Sequence, residues 1–152
     1  IRPPFIMFYL TFLLPEATVP VVTVYTNCAA PPLPLPRRCL EVGTFVGDFV
    51  RGRAAPGRVA LRATGGLSHW VGTPETGRVN PDWDHWGLGH IARGDVAPLA
   101  RLTWEEIERD GGNGGQEIRN WIALLGAVPD ERDRAEIRRD DGASRHLSTT
   151  LS

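Results

Sequence analysis

The sequence predicts an α/β fold, a parallel or mixed sheet with flanking helices, and three consecutive segments predict it. Val19 to Thr26 (VPVVTVYT) is short, rich in β-branched residues and almost continuously apolar, the pattern of a buried strand. From Arg37 onward, Cys39, Val42, Val46 and Phe49 recur on one helical face, and Pro36 stands at the helix start, where its missing N–H costs nothing. Arg58 to Thr64 (RVALRAT) reads as a second strand, so strand, helix and strand compose a βαβ unit with the usual right-handed crossover.

The remaining elements follow from local signals. The proline-rich AAPPLPLPRR makes a stiff loop before the first helix, which should end near Gly52. Pro81 to Arg93 has a helical pattern, and Thr103 with Glu106 forms a capping box for a short helix stopped by Gly111 and Gly112. In the last helix Asn113 serves as N-cap with Gln116 at N3. Ile118, Trp121, Ile122 and Leu125 then make an apolar stripe at i, i+3, i+4 and i+7 until Gly126. Residues 1–129 are expected to form one domain. Residues 130–152, charged and then rich in Ser and Thr, are expected to be a frayed or disordered tail.

A chain of 152 residues is long enough for one domain with a real core. Hydrophobic content of 41% and charged content of 23% are ordinary for a soluble globular protein. A net charge of −1, with every basic residue a scattered arginine, argues against a nucleic-acid partner. Cys28 and Cys39 make neither a disulfide framework nor a zinc motif, which points to a reducing, cytoplasmic setting. The apolar run Phe5 to Leu14 has about half the ~20 residues needed to span a bilayer, and no membrane association is expected. Pro15 and Glu16 stand where a signal peptide would carry a small-residue cleavage site. The chain opens on Ile1 inside that apolar segment, so further sequence upstream is expected.

Two segments carry residues suited to chemistry. In ATGGLSHWVGTPETGR, Gly65 and Gly66 follow the second strand and deliver Ser68, His69 and Trp70 just past its carboxyl end, where open α/β sheets bind ligands. An imidazole there can exchange protons near neutral pH, or it can merely hydrogen-bond the loop; spacing alone leaves both open. In GGNGGQEIRNWIALLG, Glu117 lies in the first turn of a helix, whose dipole favours the ionised carboxylate that a hard metal ion binds. It shares a face with Asn120 and Trp121. Complementing the dipole is the simpler role for it.

Three blocks, VPVVTVYTNCAAPPLPLPRRC, GGLSHWVGTPETGRVNPDWD and GGNGGQEIRNWIALLGAVP, resemble in order and spacing the class III extradiol ring-cleavage dioxygenases, the family of the protocatechuate 4,5-dioxygenase catalytic subunit. The resemblance runs from about Phe12 to Pro129 and corresponds to the C-terminal half of a family member, a partial domain of that fold. It implies non-haem Fe(II) held by two histidines and a glutamate, with a catechol-type substrate and dioxygen as reactants in aromatic catabolism. On this resemblance His69 corresponds to the acid/base residue and Glu117 to the iron-ligand carboxylate, with Asn113, Asn120 and Trp121 as neighbours supporting them. The two histidine ligands belong to the half that this chain does not contain.

A facial triad leaves positions open for substrate and dioxygen, and a histidine beside the metal but not on it can take a phenolic proton and return one later. His85 and His90, five positions apart on a helix, point about 140° from each other and make a poor metal pair; His146 lies in the expected tail. The chain alone is therefore expected to be inactive, with a homo-oligomer or second subunit as its partner. A non-catalytic remnant or interaction module on the same fold is the alternative, with APPLPLPRR as a weak polyproline ligand. A zinc hydrolase is disfavoured because no second nitrogen ligand stands at useful spacing.

Overall fold

The structure, a computed structural model, describes residues 20–54, 57–128, 136–139 and 145–151, the last two stretches by their backbone. The first helix, α1 (Pro36–Gly52), starts and ends as its sequence dictates, with Pro in its first turn. Strand β1 (Val59–Gly65) follows, then α2 (Pro81–Arg93), a short α3 (Val96–Ala100), α4 (Trp104–Gly111), a 3-10 turn Gly114–Glu117, and α5 (Ile118–Ala127). Asn80 caps α2 by accepting from the Trp83 N–H, and Gly94 closes it at φ 68°, a left-handed value that favours glycine. The Thr103–Glu106 capping box at the start of α4 is fully formed.

The core centres on α5. Ile118, Trp121 and Ile122 have no exposed surface and Leu125 is 8% exposed, so the stripe anticipated from periodicity is the buried face. It packs with Ala63 of β1, Leu67, Trp83 and Ile91 of α2, Leu99 and Ile107.

The α1 face toward the core is not the one expected. Pro36, Cys39, Gly43, Gly47 and Val50 are buried, whereas Phe49 is 71% and Phe45 70% exposed. Of the expected stripe Cys39 is buried while Val42 and Phe49 are exposed, and the buried row lies about 80° round the helix from that stripe. Close approach explains the rotation. A Cβ on Gly47 would stand 2.5 Å from the Ala127 carbonyl oxygen, and one on Gly43 would meet the Ala123 carbonyl closer still. Gly126 lies against the Leu40 carbonyl in the same way. The two backbones touch through glycine, and the larger side chains are turned outward.

The sheet also departs from expectation. Glu136–Arg139 (β2) and Arg145–Leu151 (β3) are strands, and the order is β1-β3-β2 with both pairs antiparallel; Gly65 faces Arg145 and Val59 faces Leu151. The parallel βαβ unit is therefore corrected among the described residues. Residues 20–26 form no strand and most of them are exposed, because a strand needs a partner and none of the described strands pairs with them. Residues 136–139 and 145–151, within the segment expected to be a frayed tail, take strand positions in this sheet. The apolar run Phe5 to Leu14 lies outside the described residues. No described helix is long and apolar enough to cross a membrane.

Candidate active site

The carboxyl end of β1 runs into Gly65 and Gly66, and the chain then folds back over the junction between α4 and α5. Four hydrogen bonds fasten this return. The His69 N–H donates to the Gly111 carbonyl at 2.9 Å, and the Gly114 N–H donates to the His69 carbonyl at 3.0 Å. Asn113 continues the ladder with its side chain: Nδ2 donates to the Val71 carbonyl at 2.7 Å and Oδ1 accepts the Val71 N–H at 2.8 Å. Its expected role as N-cap of the last helix is thus corrected. The helix enters through a 3-10 turn, Asn113 makes no cap bond, and its amide serves as a surrogate strand residue for the loop.

Ser68 is buried and fixes the other side of the loop. Its hydroxyl accepts the Asn80 N–H at 2.6 Å, and its own N–H donates to Asp84 Oδ1 at 2.8 Å. Trp70 is buried beside it, with the Arg78 guanidinium 4.4 Å over its ring.

This frame orients the His69 imidazole. Nδ1 lies 2.8 Å from the Leu67 carbonyl oxygen, an acceptor, so Nδ1 carries the proton and Nε2 is left as the basic nitrogen. The ring is seated on glycine: a Cβ on Gly66 would stand 2.5 Å from its Cε1, and one on Gly114 would collide with Nε2. Neither glycine has a left-handed φ, so it is the close approach that requires them.

Glu117 stands on the other side of the same turn. Its carboxylate accepts the Gly66 N–H, and its Cβ would be 2.9 Å from a Cβ on Gly65. Asn120 Nδ2 donates to the Thr64 carbonyl at 2.9 Å, and the Trp121 indole nitrogen abuts Gly65. The structure therefore gathers His69, Glu117, Asn120 and Trp121 at the end of β1, with Asn113 one ladder step away.

Two further residues belong to this region, and neither was singled out from sequence. Cys28, in the loop before α1, has its thiol pushed up to about 11, chiefly by burial, with the negative charge of Glu117 adding to the rise and Arg119 opposing it. Arg119 is 1% exposed, and burial lowers its pKa. Its Nε donates to the Pro34 carbonyl at 2.7 Å, and Nη1 donates to the Gln116 carbonyl and side-chain oxygen. The guanidinium thereby ties the proline-rich loop to the turn that carries Glu117. Nothing in spacing marks either residue; a thiol and an arginine acquire meaning only once the loop is folded onto α5.

His85 and His90 stay apart, and of His146 the backbone alone is described, opposite Thr64 in the ladder of β1 with β3. His85 is exposed, and His90 faces Asp95 at 2.9 Å and the Trp86 ring edge-on. Among the described residues no three His, Cys, Asp or Glu side chains converge to hold a metal ion. Glu117 offers one hard anionic donor at the turn; a complete iron centre does not fit the described residues of this chain.

An imidazole and a carboxylate thus stand against one glycine turn at the carboxyl end of β1. The family described as the catalytic LigB subunit of aromatic ring-opening dioxygenase matches residues 6–151. The chain belongs to this family. Relatives of the LigB family include a 2,3-dihydroxyphenylpropionate/2,3-dihydroxicinnamic acid 1,2-dioxygenase of Photorhabdus laumondii, 33% identical over an alignment covering 72% of this chain and 47% of that protein. The protein of the same name from Cupriavidus necator is 29% identical, with 72% and 48% covered. The gallate dioxygenase of Pseudomonas putida is 30% identical over 110 residues, 32% of its length. The chain spans about half the length of the curated relatives named for dihydroxyphenylpropionate that it matches.

Proposed function

We propose that this chain supplies the proton-transfer half of an extradiol ring-cleavage site, with His69 as acid/base and Glu117 as the carboxylate ligand of a non-haem Fe(II). Two histidines from the remainder of the family's length complete the iron's ligand set. The reading rests on one observation above the others: His69 Nδ1 lies 2.8 Å from the Leu67 carbonyl, which can only accept, while Nε2 lies on the other side of the ring against Gly114. A phenolic hydroxyl placed there gives its proton to Nε2, and the same nitrogen returns a proton when the ring opens. Iron, when bound, would activate dioxygen and the catechol together; the described residues do not hold it alone. A catechol-type ring with a short carboxylate side chain is the substrate class favoured by the names of the relatives.

Joining this chain to the histidine-bearing half of a LigB-family relative should give a protein that binds Fe(II) and forms a yellow ring-opened product from 2,3-dihydroxyphenylpropionate. His69→Ala in that protein should lower kcat by about 100-fold or more while leaving iron content unchanged. Glu117→Ala should lose the iron. Full activity in the His69→Ala variant would remove the assignment. The 152-residue chain by itself should neither retain iron through desalting nor turn over a catechol, and turnover by it would overturn the half-site reading.

A further inference from the structure

The geometry points to Trp121 as a positioning residue for Glu117, its indole N–H serving as a second donor to the carboxylate. Trp121 has no exposed surface, and its Nε1 is the one fully buried side-chain nitrogen or oxygen among the described residues without a hydrogen-bond partner. Buried donors are ordinarily paired, so an orphan beside a site calls for an acceptor. The nearest candidate follows from Gly65. A Cβ there would lie 3.3 Å from Trp121 Nε1, 3.1 Å from the Glu117 carbonyl oxygen and 2.9 Å from the Glu117 Cβ, so the indole N–H and the base of the glutamate side chain border the same glycine.

Trp121 stands four residues after Glu117, the spacing at which side chains on a helix meet, and helical side chains lean toward the N-terminus, here toward Glu117. The carboxylate already accepts the Gly66 N–H and has capacity for a second donor. Asn120, anchored to the Thr64 carbonyl, holds this turn of helix against β1, so the indole is not free to seek another partner. A carboxylate gripped by one backbone and one indole N–H keeps a single orientation, and such outer hydrogen bonds orient ligating groups. The alternative, glycine at 65 merely to admit the ring, leaves the donor unpaired.

The inference uses the proposed role of Glu117 only to say what the grip is for; the contact is tested with neither metal nor substrate. In the 15N-labelled chain, the assigned Trp121 indole N–H resonance should lie downfield of a free indole and move on Glu117→Gln, while the indole of exposed Trp104 stays in place. In urea unfolding, Trp121→Phe and Glu117→Gln should be non-additive, with a coupling of about tenfold in the unfolding constant, as expected for a hydrogen bond to a charged group. If Trp121→Phe does not fold, the resonance in the Glu117→Gln chain decides alone. An indole resonance indifferent to Glu117→Gln, or additive effects within twofold, would overturn the assignment. Loss of catalysis in a completed enzyme with this coupling intact would count against the function but not against the grip.

Discussion

The His69 ring sits where two glycine Cα atoms leave room for it, which makes the site sensitive to a single methyl group. Gly114→Ala places a carbon against Nε2, the nitrogen assigned to proton transfer, and Gly66→Ala presses on Cε1. Each should destabilise the chain by about 1–3 kcal/mol in urea unfolding, as overpacking does, and shift the His69 ring resonances. The Cys28 thiol has its own signature. Its folded pKa, about 11, exceeds that of an unfolded cysteine near ~9, so its contribution is full below ~9 and is lost as pH rises through about 11. The stability gap between the chain and its Cys28→Ser variant should narrow over that window, and iodoacetamide should modify Cys28 slowly at pH 8.

The placement of His69 and Glu117 beside one turn was legible because each follows a glycine cluster at an element boundary, while the roles expected of them came from the family resemblance. Arg119 and Cys28 were not legible. Their significance comes from a loop eighty-five residues away, where the Pro34 carbonyl meets the guanidinium. Asn113 was misread for a related reason: an Asn followed by Gln at the third position signals a cap locally, but two backbone groups of Val71 compete for the same amide and win.

Among the elements, capping and termini were readable and faces were not always. Thr103→Ala removes a formed capping box and should cost about 1 kcal/mol, measured by the urea midpoint. Periodicity located the buried stripe of α5 because its large apolar residues coincide with the core. It held for Cys39 but missed the rest of α1, where hydrophobicity marks Val42 and Phe49 but backbone proximity selects Gly43 and Gly47. Gly47→Val should therefore destabilise the chain far more than Phe49→Ala does, since the first forces two helices apart and the second trims a mostly exposed ring. Comparable losses at the two positions would contradict the close contact of α1 with α5. The strand expected at Val19 to Thr26 illustrates the limit of composition: β-branched residues supply propensity, while pairing must come from another segment.

At the scale of the molecule, much of the exposed apolar surface lies before residue 50: Val22, Val24, Tyr25, Val42, Phe45 and Phe49 are all open to solvent. Exposed apolar side chains of this kind predict hydrophobic association. Phe45→Ser with Phe49→Ser should leave the unfolding free energy within about 0.5 kcal/mol while reducing hydrophobic-dye binding and self-association in sedimentation. A large loss of stability would show that these rings are part of the core.

Between this surface and the glycine turn stands the contact of α1 with α5. At Gly43, Gly47 and Gly126 carbonyls and glycines meet directly, so the two helices approach more closely there than side chains would allow. One helix carries the outward phenyl rings and the other begins one residue after Glu117. Glu117 immediately precedes α5, so the close packing of α1 on α5 also fixes the helix from which that carboxylate extends.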